Sequence, residues 1–277
     1  MTDDHATRRM NLEGLKLEVL ADLHDPTWYR QRAAFEEKAS PLYQLICEEG
    51  FGTFVDVGAN VGFISILARR ACSSLRVLAI EPDPRLAELL ARNLAANGVR
   101  DAEVLNAIAG DSDESSVRFS QNPNSTLDNR VISSDWPQVH VPMVRLDSAL
   151  RRHGGQSKTF MKIDTQGFEE RVIRGLEPWL AEHRDWMIKM EFAPDWLRSQ
   201  GTDPNPFFRR LATAYEVAEV PGRIAYSTQH LDELFAMPLD PDSSERFVDH
   251  VVSLNRNGLG WVDLLLRPRL AIGIGSP

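Results

Sequence analysis

The chain has 277 residues, of which 43% are hydrophobic and 26% are charged, and its formal net charge is −9. This content is enough for the core of one large or two small globular domains. Proteins that act mainly by binding phosphates usually carry the opposite charge, so a nucleic-acid partner is disfavoured. No stretch reaches the roughly 20 apolar residues of a membrane-spanning helix, so such a span is excluded.

The two cysteines, Cys47 and Cys72, show no spacing typical of a metal site. So few cysteines favour two buried thiols in a reducing compartment over a disulfide scaffold. The first ten residues, MTDDHATRRM, have no apolar run after their charges and therefore lack the pattern of a secretory signal. We predict a cytoplasmic protein.

The N-terminal part of the chain predicts a helical cap over residues 1–50. Residues 1–12 are polar and predict a loose segment. The stretch SPLYQLICEEG then has the start and stop signals of a helix, with Ser40 as N-cap, Pro41 in the first turn and Gly50 past the end.

Strands and helices alternate along the next sixty residues. TFVDVG and LRVLAIE are apolar runs typical of buried parallel strands, and AEVLNAIAG predicts a third strand. The helix between the second and third strands is capped by Asp83, begins at Pro84 and ends at Gly98. This alternation predicts an α/β fold with a Rossmann-like doubly wound sheet.

Two irregular insertions, residues 120–140 and 222–258, interrupt this pattern. The first is polar and turn-rich, and its length is typical of a lid or a binding loop. Outside the insertions, FMKID, WMIKMEF, YEVAEV and WVDLLLRP predict four more strands, and GFEERVIRGL predicts a helix. Because no repeat or linker is visible, we predict a single domain over residues 1–277.

The stretch FVDVGANVGF combines a strand, a glycine turn and a helix, an order typical of nucleotide-like ligands. A dinucleotide-binding turn follows G-x-G-x-x-G, in which the second glycine lets the backbone approach the pyrophosphate. Here Asn60 takes the second glycine position and Phe63 the third. The turn instead reads Asp56-x-Gly58-x-Asn60-x-Gly62.

A ligand without phosphates does not need the second glycine, and S-adenosylmethionine (SAM) is such a ligand. Asp56 would receive the ammonium of its amino-acid tail, directly or through water. Glu81 ends the next strand, 19 residues after Gly62, where a carboxylate can accept both ribose hydroxyls. A nicotinamide or flavin cofactor is an alternative, and so is a structural turn in which Asn60 tolerates a left-handed conformation.

Five segments in this order resemble the FkbM-type SAM-dependent methyltransferases: FVDVGANVGF, AIEPDP, VRLDS, FMKIDTQGFEERVIRG and MEFAPDWL. The resemblance runs from about residue 50 to residue 220. It implies the class I methyltransferase fold, with a seven-stranded sheet in the order 3-2-1-4-5-7-6 and an antiparallel last strand. It also implies methyl transfer to hydroxyl groups, often of sugars or polyketide-derived natural products.

The resemblance further implies which residues bind the cofactor: Asp56, Gly58, Asn60, Gly62, Glu81, Asn106 and Ala107. Asn106 and Ala107, after the third strand, would lie near the adenine. The family's KIDVEG reads KIDTQG in this chain, so Gln166 replaces the usual glutamate. If that glutamate contributes charge near the acceptor, this protein does without it.

Two strands that are neighbours in the family's order carry the same pattern, Lys162 with Asp164 and Lys189 with Glu191. The period of two residues places each pair on one face of its strand. With Asp56, three carboxylates would gather at the carboxyl edge of the sheet, where ligands bind. Asp164 and Glu191 are the predicted catalytic residues, with Asp164 as base or metal ligand. The alternative is an ion-pair ladder that satisfies buried charges.

Other candidates have weaker signals. His140 and His153 are alternative bases, although single histidines in polar loops are more often exposed. A divalent ion such as Mg²⁺ would acidify the acceptor hydroxyl, but no His/Asp/Glu cluster has clear metal spacing. Trp136, inside the first insertion, could stack on a sugar ring, whereas Trp196 is a core candidate.

The sequence therefore predicts a SAM-dependent O-methyltransferase whose acceptor is a small molecule or glycan, namely a carbohydrate or a polyketide-type secondary metabolite. One alternative is an NAD-dependent oxidoreductase, which the missing glycine argues against. The other is a non-catalytic protein of the same fold that binds a partner through the lid.

Overall fold

The computed structural model describes residues 7–12, 14–20, 42–133, 135–153, 157–220, 231–254 and 259–269. The strands of this part of the chain are β1 (Thr7–Leu12), β2 (Leu15–Leu20), β3 (Thr53–Val57), β4 (Arg76–Ile80), β5 (Ala102–Leu105), β6 (Ile108–Gly110), β7 (Glu114–Ser120), β8 (Gln138–Arg145), β9 (Thr159–Ile163), β10 (Trp186–Phe192), β11 (Tyr215–Val220) and β12 (Val262–Pro268). Its helices are α1 (42–48), α2 (Phe63–Ala71), α3 (Pro84–Ala96), α4 (Leu146–His153), α5 (Glu169–Glu182), α6 (Pro194–Ser199), α7 (Pro204–Ala214) and α8 (Ser244–Ser253).

A seven-stranded sheet forms the centre, in the order β5-β4-β3-β9-β10-β12-β11. β12 is antiparallel to both of its neighbours, and the pairs among β3, β4, β5, β9 and β10 are parallel. When these seven strands are numbered in chain order, the order is 3-2-1-4-5-7-6. The predicted Rossmann-like sheet with an antiparallel last strand is confirmed.

Apolar side chains on both faces explain why the central strands are buried. Every residue of β3 is buried, and side chains that alternate along the strand enter two different apolar clusters. Phe54 stacks on Phe160 of the neighbouring β9, with ring centroids 6.0 Å apart, on the face covered by α1 and α2. Val55 and Met161 pack on the other face, which α5 covers. A sheet covered on both faces reads as a continuous apolar run, as the sequence indicated.

The predicted third strand is divided. β5 belongs to the central sheet, whereas β6 belongs to a separate three-stranded sheet in the order β6-β8-β7. The chain bends at Asn106, whose Nδ2 donates to the carbonyl oxygens of Glu81 and Pro82, 2.9 Å from each. This side chain ties the bend to the loop after β4, and the first insertion then connects β7 to β8.

The N-terminal segment differs from the prediction of a loose start and a helical cap. β1 and β2 form an antiparallel hairpin, and alternate residues of β2, Leu15, Leu17 and Val19, are buried in a cluster shared with α3. The alternation in LKLEVL is the strand signal that the sequence analysis missed. The predicted cap residues Ser40 and Pro41 lie outside the described residues.

The second insertion also differs from the irregular segment that was predicted. Its described part contains α8, whose Phe247 stacks on Phe208 of α7 with ring centroids 4.5 Å apart. Residues 221–230 and 255–258 lie outside the described part. No helix that the structure describes is long and apolar enough to span a membrane. The single domain over residues 1–277 stays a prediction.

Cys47 and Cys72 form a disulfide, so the expectation of two free thiols is wrong. The bond joins α1 to the residue after α2, and the two Cα atoms are 5.3 Å apart. Both cysteines border the apolar cluster that α1 and α2 share with Phe54 and Leu75. Their approach comes from this packing, which spacing along the sequence does not show.

Reduction of the disulfide is expected to lower the free energy of unfolding by about 3 kcal/mol, because the bond closes a loop of moderate length in the unfolded chain. The cysteines are 25 positions apart. The measurement is urea unfolding with and without a reductant. The control is a double variant, Cys47→Ala with Cys72→Ala, whose midpoint should not respond to the reductant. An unchanged wild-type midpoint would contradict the pairing.

Candidate functional site

A cavity of about 320 Å³ opens at the carboxyl edge of the central sheet, within the size range of small-ligand sites. The ends of β3, β4, β9 and β10 form its floor. We call residues 121–137, which connect β7 to β8, the lid. Further wall residues come from α1, the lid, α6 and the start of β12, namely Tyr43, Thr126, Leu127, Asn129, Val131, Trp196, Trp261 and Asp263.

The glycine turn lines this cavity, and Gly58 permits a close approach of two strands. Its φ is +74°, and a Cβ at this position would lie 1.9 Å from the carbonyl oxygen of Asp164. Gly62, with φ +86°, would place a Cβ 2.6 Å from Leu90 Cδ1. Backbone conformation therefore favours glycine at both positions, and the nearby backbone oxygen excludes a side chain at Gly58.

Asn60 explains why this turn has no second glycine. Its φ of +51° is the left-handed conformation, which asparagine tolerates better than most residues. Its Oδ1 accepts from the backbone N–H of Val61 at 2.8 Å, and its Nδ2 donates to the carbonyl oxygen of Thr126 in the lid at 2.9 Å. The side chain thus ties the turn to the lid, which a glycine could not do.

Glu81 directly follows β4 in the chain and lines the cavity at the end of that strand, where its side chain is buried. Its Oε1 accepts from the N–H of Asp83 at 2.9 Å and its Oε2 from the N–H of Asn60 at 2.8 Å. Burial is the main cause that raises the pKa of Glu81 to about 8. A carboxylate has about four lone-pair sites, so about two are not used by these backbone N–H groups.

The other predicted cofactor residues differ in whether they line the cavity. Ala107 lines the cavity, whereas Asp56, Gly62 and Asn106 do not belong to its described wall. Asp56 is fully buried behind the turn, where its Oδ2 accepts from Ser65 Oγ at 2.6 Å. The predicted cofactor contacts of all seven residues stay predictions.

Lys162 joins the turn to the predicted base. Its Nζ donates to the carbonyl oxygen of Gly58 at 3.0 Å and lies 3.5 Å from Asp56 Oδ1 and 3.4 Å from Asp164 Oδ2. The ion pairs of the ladder alternative are therefore present at this lysine. Asp164 also lines the cavity, and 32% of its side chain is exposed, so it is open to a ligand as well.

Gln166, the departure from the family pattern, touches the predicted base. Its φ is +57°, and its Nε2 donates to Asp164 Oδ1 at 2.8 Å. Gln166 supplies a neutral donor to this carboxylate, whereas a glutamate at this position would add a like charge. Glu169, in contrast, is buried beneath the turn, where its Oε1 accepts from the N–H groups of Thr165 and Gly167, consistent with a structural role.

Glu191 lines the cavity at the end opposite Glu81. It is paired across the antiparallel β10–β12 ladder with Asp263, whose Oδ2 lies 2.9 Å from Lys189 Nζ. The Oε2 atom of Glu191 is buried, and no residue in the described part of the chain hydrogen-bonds to it. Burial, followed by the charges of Asp164, Glu169 and Asp263, raises the pKa of Glu191 well above its usual range.

Neither histidine candidate lies at the site. His140 is exposed on β8, and the buried His153 at the end of α4 places its Nδ1 3.0 Å from Glu103 Oε2. Neither belongs to the described wall of the cavity. Within the described residues, no group of three His, Cys, Asp or Glu side chains is arranged to hold a metal ion.

The aromatic residues of the site were largely missed. Trp196, predicted as core, lines the cavity, and Arg130 of the lid lies between its ring and that of Trp136, 5.4 and 5.6 Å from the two centroids. Tyr43 and Trp261 also line the cavity. Single aromatic residues in loops or on short helices carry no signal that separates a cavity wall from the core.

The affinity of the site for a nucleoside is expected to rise with pH up to about 8. In the empty protein Glu81 is protonated below its pKa of about 8. Ligand hydroxyls that donate to the carboxylate displace this proton. One released proton changes the dissociation constant tenfold per pH unit at most. The measurement is calorimetric titration with 5′-methylthioadenosine at pH 6, 7, 8 and 9. Glu81→Gln should remove the slope, and an equal wild-type affinity at all four values would contradict this account.

Comparison with known proteins identifies a family for the chain. A family model described as the methyltransferase FkbM domain matches residues 56–235, more than half of the chain. No curated protein sequence matches the chain.

Three solved structures with a similar fold are distant in sequence. One is a precorrin-6y C5,15-methyltransferase from Geobacter metallireducens, with 18% identity, a TM-score of 0.39 and coverage of 67% of this chain and 74% of that one. Another is the O-methyltransferase of a trans-AT polyketide synthase from Brevibacillus brevis in complex with S-adenosyl-L-homocysteine, with 13% identity, a TM-score of 0.44 and coverage of 89% and 76%. A third is TYW2 from M. jannaschii in complex with AdoMet, with 11% identity, a TM-score of 0.45 and coverage of 98% and 90%.

Proposed function

We propose, from the premise that the chain belongs to the FkbM methyltransferase family, that it transfers the methyl group of SAM to a hydroxyl group of a carbohydrate or a polyketide-type secondary metabolite. The family membership makes the chain a SAM-dependent methyltransferase. The finer statement, transfer to oxygen, is supported by one observation. Asp164, a carboxylate held between a lysine and an amide donor, faces the cavity that also contains the cofactor turn.

The residues of the cavity fit SAM. Glu81 has carboxylate positions open to ribose hydroxyls, Gly58 leaves room where a side chain would clash, and Ala107 offers a small apolar contact for a base. The cavity wall also carries more carboxyl groups than lysines, which suits a ligand with a sulfonium and an ammonium group. We propose that these residues hold the cofactor, which supplies an electrophilic methyl group when bound.

The protein's own part is to align the acceptor and to remove its proton. We propose that Asp164 accepts the hydroxyl proton as the oxygen is methylated. A carboxylate is a weak base for an alcohol, so this transfer occurs late in the displacement. Lys162 and Gln166 hold the carboxylate of Asp164 in position. A divalent ion such as Mg²⁺ is not needed for this scheme.

The test is a methyl-transfer assay with ¹³C-methyl SAM and a panel of sugars, amino sugars and hydroxylated polyketides. The expected product has a methyl carbon signal typical of an ether. A product methylated on nitrogen or carbon would contradict transfer to oxygen. Binding of SAM without turnover of any acceptor would favour the alternative of a non-catalytic protein of this fold.

We also propose that the acceptor is not a nucleic acid and that the protein works in the cytoplasm. The net charge of −9 supports the first proposal. The low cysteine content supports the second, whereas the pairing of Cys47 with Cys72 is more usual in oxidising compartments. To distinguish a reducing from an oxidising compartment, free thiols are blocked in intact cells, and any disulfide is then reduced and labelled. Two thiols blocked at the outset would support the cytoplasm.

A further inference from the structure

We infer that the acceptor carries a protonated amine close to the hydroxyl that is methylated, and that Glu191 binds this amine. The acceptor is then an amino sugar or a related cyclic amino alcohol. This inference rests on the proposed function and names the substrate class of the same cavity.

The position of Glu191 places it at the acceptor end. β4, which Glu81 follows, and β12, which carries Asp263, are separated by β3, β9 and β10. Four strand spacings amount to about 19 Å. A cofactor whose ribose lies at Glu81 therefore leaves the β10 and β12 end of the cavity to the second substrate.

The charges at this end are not balanced by the protein. Lys189 is 2.9 Å from Asp263, and Lys162 is shared between Asp56 and Asp164. Carboxyl side chains outnumber lysines by four to two in the described wall of the cavity, which contains Glu81, Asp164, Glu191, Asp263, Lys162 and Lys189. Among these four carboxyl groups, Glu81 and Glu191 have no salt bridge to either lysine in the described structure. Each oxygen of Glu81 accepts from a backbone N–H group, whereas Oε2 of Glu191 is buried without a donor among the described residues.

The arrangement of Glu191 is unfavourable without a ligand. Like charges directly opposite each other in an antiparallel pair are destabilising, and Glu191 stands opposite Asp263. Its Oε2 is buried without a hydrogen-bond donor among the described residues, which costs free energy as well. An ammonium group relieves both penalties, because it donates to Oε2 and offsets the second carboxylate.

The ionisation of Glu191 is consistent with this role. Burial first, and then the charge of Asp164, raises its pKa well above the usual range. A bound cation favours the ionised form and lowers that pKa again. Glu191 then binds the amine while Asp164 takes the hydroxyl proton, so the two carboxyl groups have separate roles.

Aromatic residues complete the site. Trp196 and Trp261 line the same cavity. The faces of tryptophan rings attract cations and also pack against the carbon skeleton of a ring. An anionic acceptor, such as a sugar phosphate, would meet Glu191 and Asp263 with a like charge. The chemistry of the wall therefore selects a cationic ring over a neutral one, and a neutral ring over an anionic one.

The test compares ligands that differ in charge and share a ring. Glucosamine, glucose and glucose 6-phosphate are titrated into the protein saturated with S-adenosylhomocysteine, and trans-2-aminocyclohexanol and trans-cyclohexane-1,2-diol provide a second pair. Each amine is expected to bind about tenfold tighter than its neutral partner, the gain typical of a charged hydrogen bond. Glucose 6-phosphate is expected to bind most weakly of the three sugars.

Two variants locate the effect. Glu191→Gln should reduce the ratio between the affinity for each amine and the affinity for its neutral partner to about one. Asp263→Asn should also lower this ratio. Glu88→Gln, on the exposed face of α3, is the matched control and should keep the wild-type ratio.

The possible failures are distinguishable. If S-adenosylhomocysteine does not bind, the proposed function fails. If it binds but neither amine is preferred in the wild type, or if glucose 6-phosphate binds best, the inference alone is overturned. The inference is also overturned if Glu191→Gln weakens the binding of S-adenosylhomocysteine and leaves the amine preference unchanged. The charge of Glu191 would then bind the methyl donor and not the acceptor.

Discussion

Asp164→Asn is expected to lower kcat by about 10²- to 10⁴-fold, the usual contribution of a positioned general base. The affinity for SAM should stay close to the wild-type value, because Asp164 is proposed to act on the acceptor. Asparagine keeps an oxygen that can accept from Gln166 Nε2, so the local fold is preserved. The measurement combines single-turnover kinetics, with an acceptor found by the methyl-transfer assay, and calorimetric titration of SAM.

The matched control for this variant is Asp195→Asn on α6, whose carboxylate pairs at the surface with Arg198. Its kcat should be unchanged. Two results would contradict the assignment of Asp164. A kcat within a few-fold of wild type would remove it from proton transfer. An equal loss of SAM affinity and of turnover would make it a cofactor residue instead.

Gly58→Ala is expected to abolish cofactor binding and to destabilise the protein by roughly 2–5 kcal/mol. Part of this cost is the left-handed conformation, since φ is +74°. The larger part is the contact of the new Cβ with the carbonyl oxygen of Asp164, which would force the ends of β3 and β9 apart. The measurements are urea unfolding and titration with S-adenosylhomocysteine.

Gly98 offers a control with the same backbone angle. Its φ is also +74°, but a Cβ there has no neighbour within 4 Å. Gly98→Ala should therefore cost only the conformational part, about 1–2 kcal/mol, and should leave cofactor binding intact. If the two variants were equally stable and bound the cofactor equally, the close approach at Gly58 would not matter for the site.

Much of the central sheet was predictable because its signals are local. The strand around Asp56, the capped helix after Asp83 and the position of Glu81 each depend on apolar runs, caps and turns within a few residues. The family resemblance then supplied the strand order. The turn was also predicted to be unlike a dinucleotide turn, and the left-handed φ and lid contact of Asn60 give the physical reason.

The parts that were missed depend on contacts between distant residues. The pairing of Cys47 with Cys72 follows from helix packing, and the hydrogen bond between Asn60 and Thr126 spans 66 positions. Tyr43 and Trp261 enter the cavity from opposite ends of the chain. No local pattern identifies such residues, since their role is set by where the surrounding elements pack.

Binding of SAM in the cavity is the central claim, and one calorimetric experiment tests it most directly. SAM and NAD are titrated separately into the wild type and into Glu81→Ala. We expect SAM to bind the wild type at one site, NAD not to bind, and the variant to bind SAM about 10- to 100-fold more weakly, because charge-assisted hydrogen bonds are lost. Binding of NAD in place of SAM, or an unchanged SAM affinity in Glu81→Ala, would contradict the account.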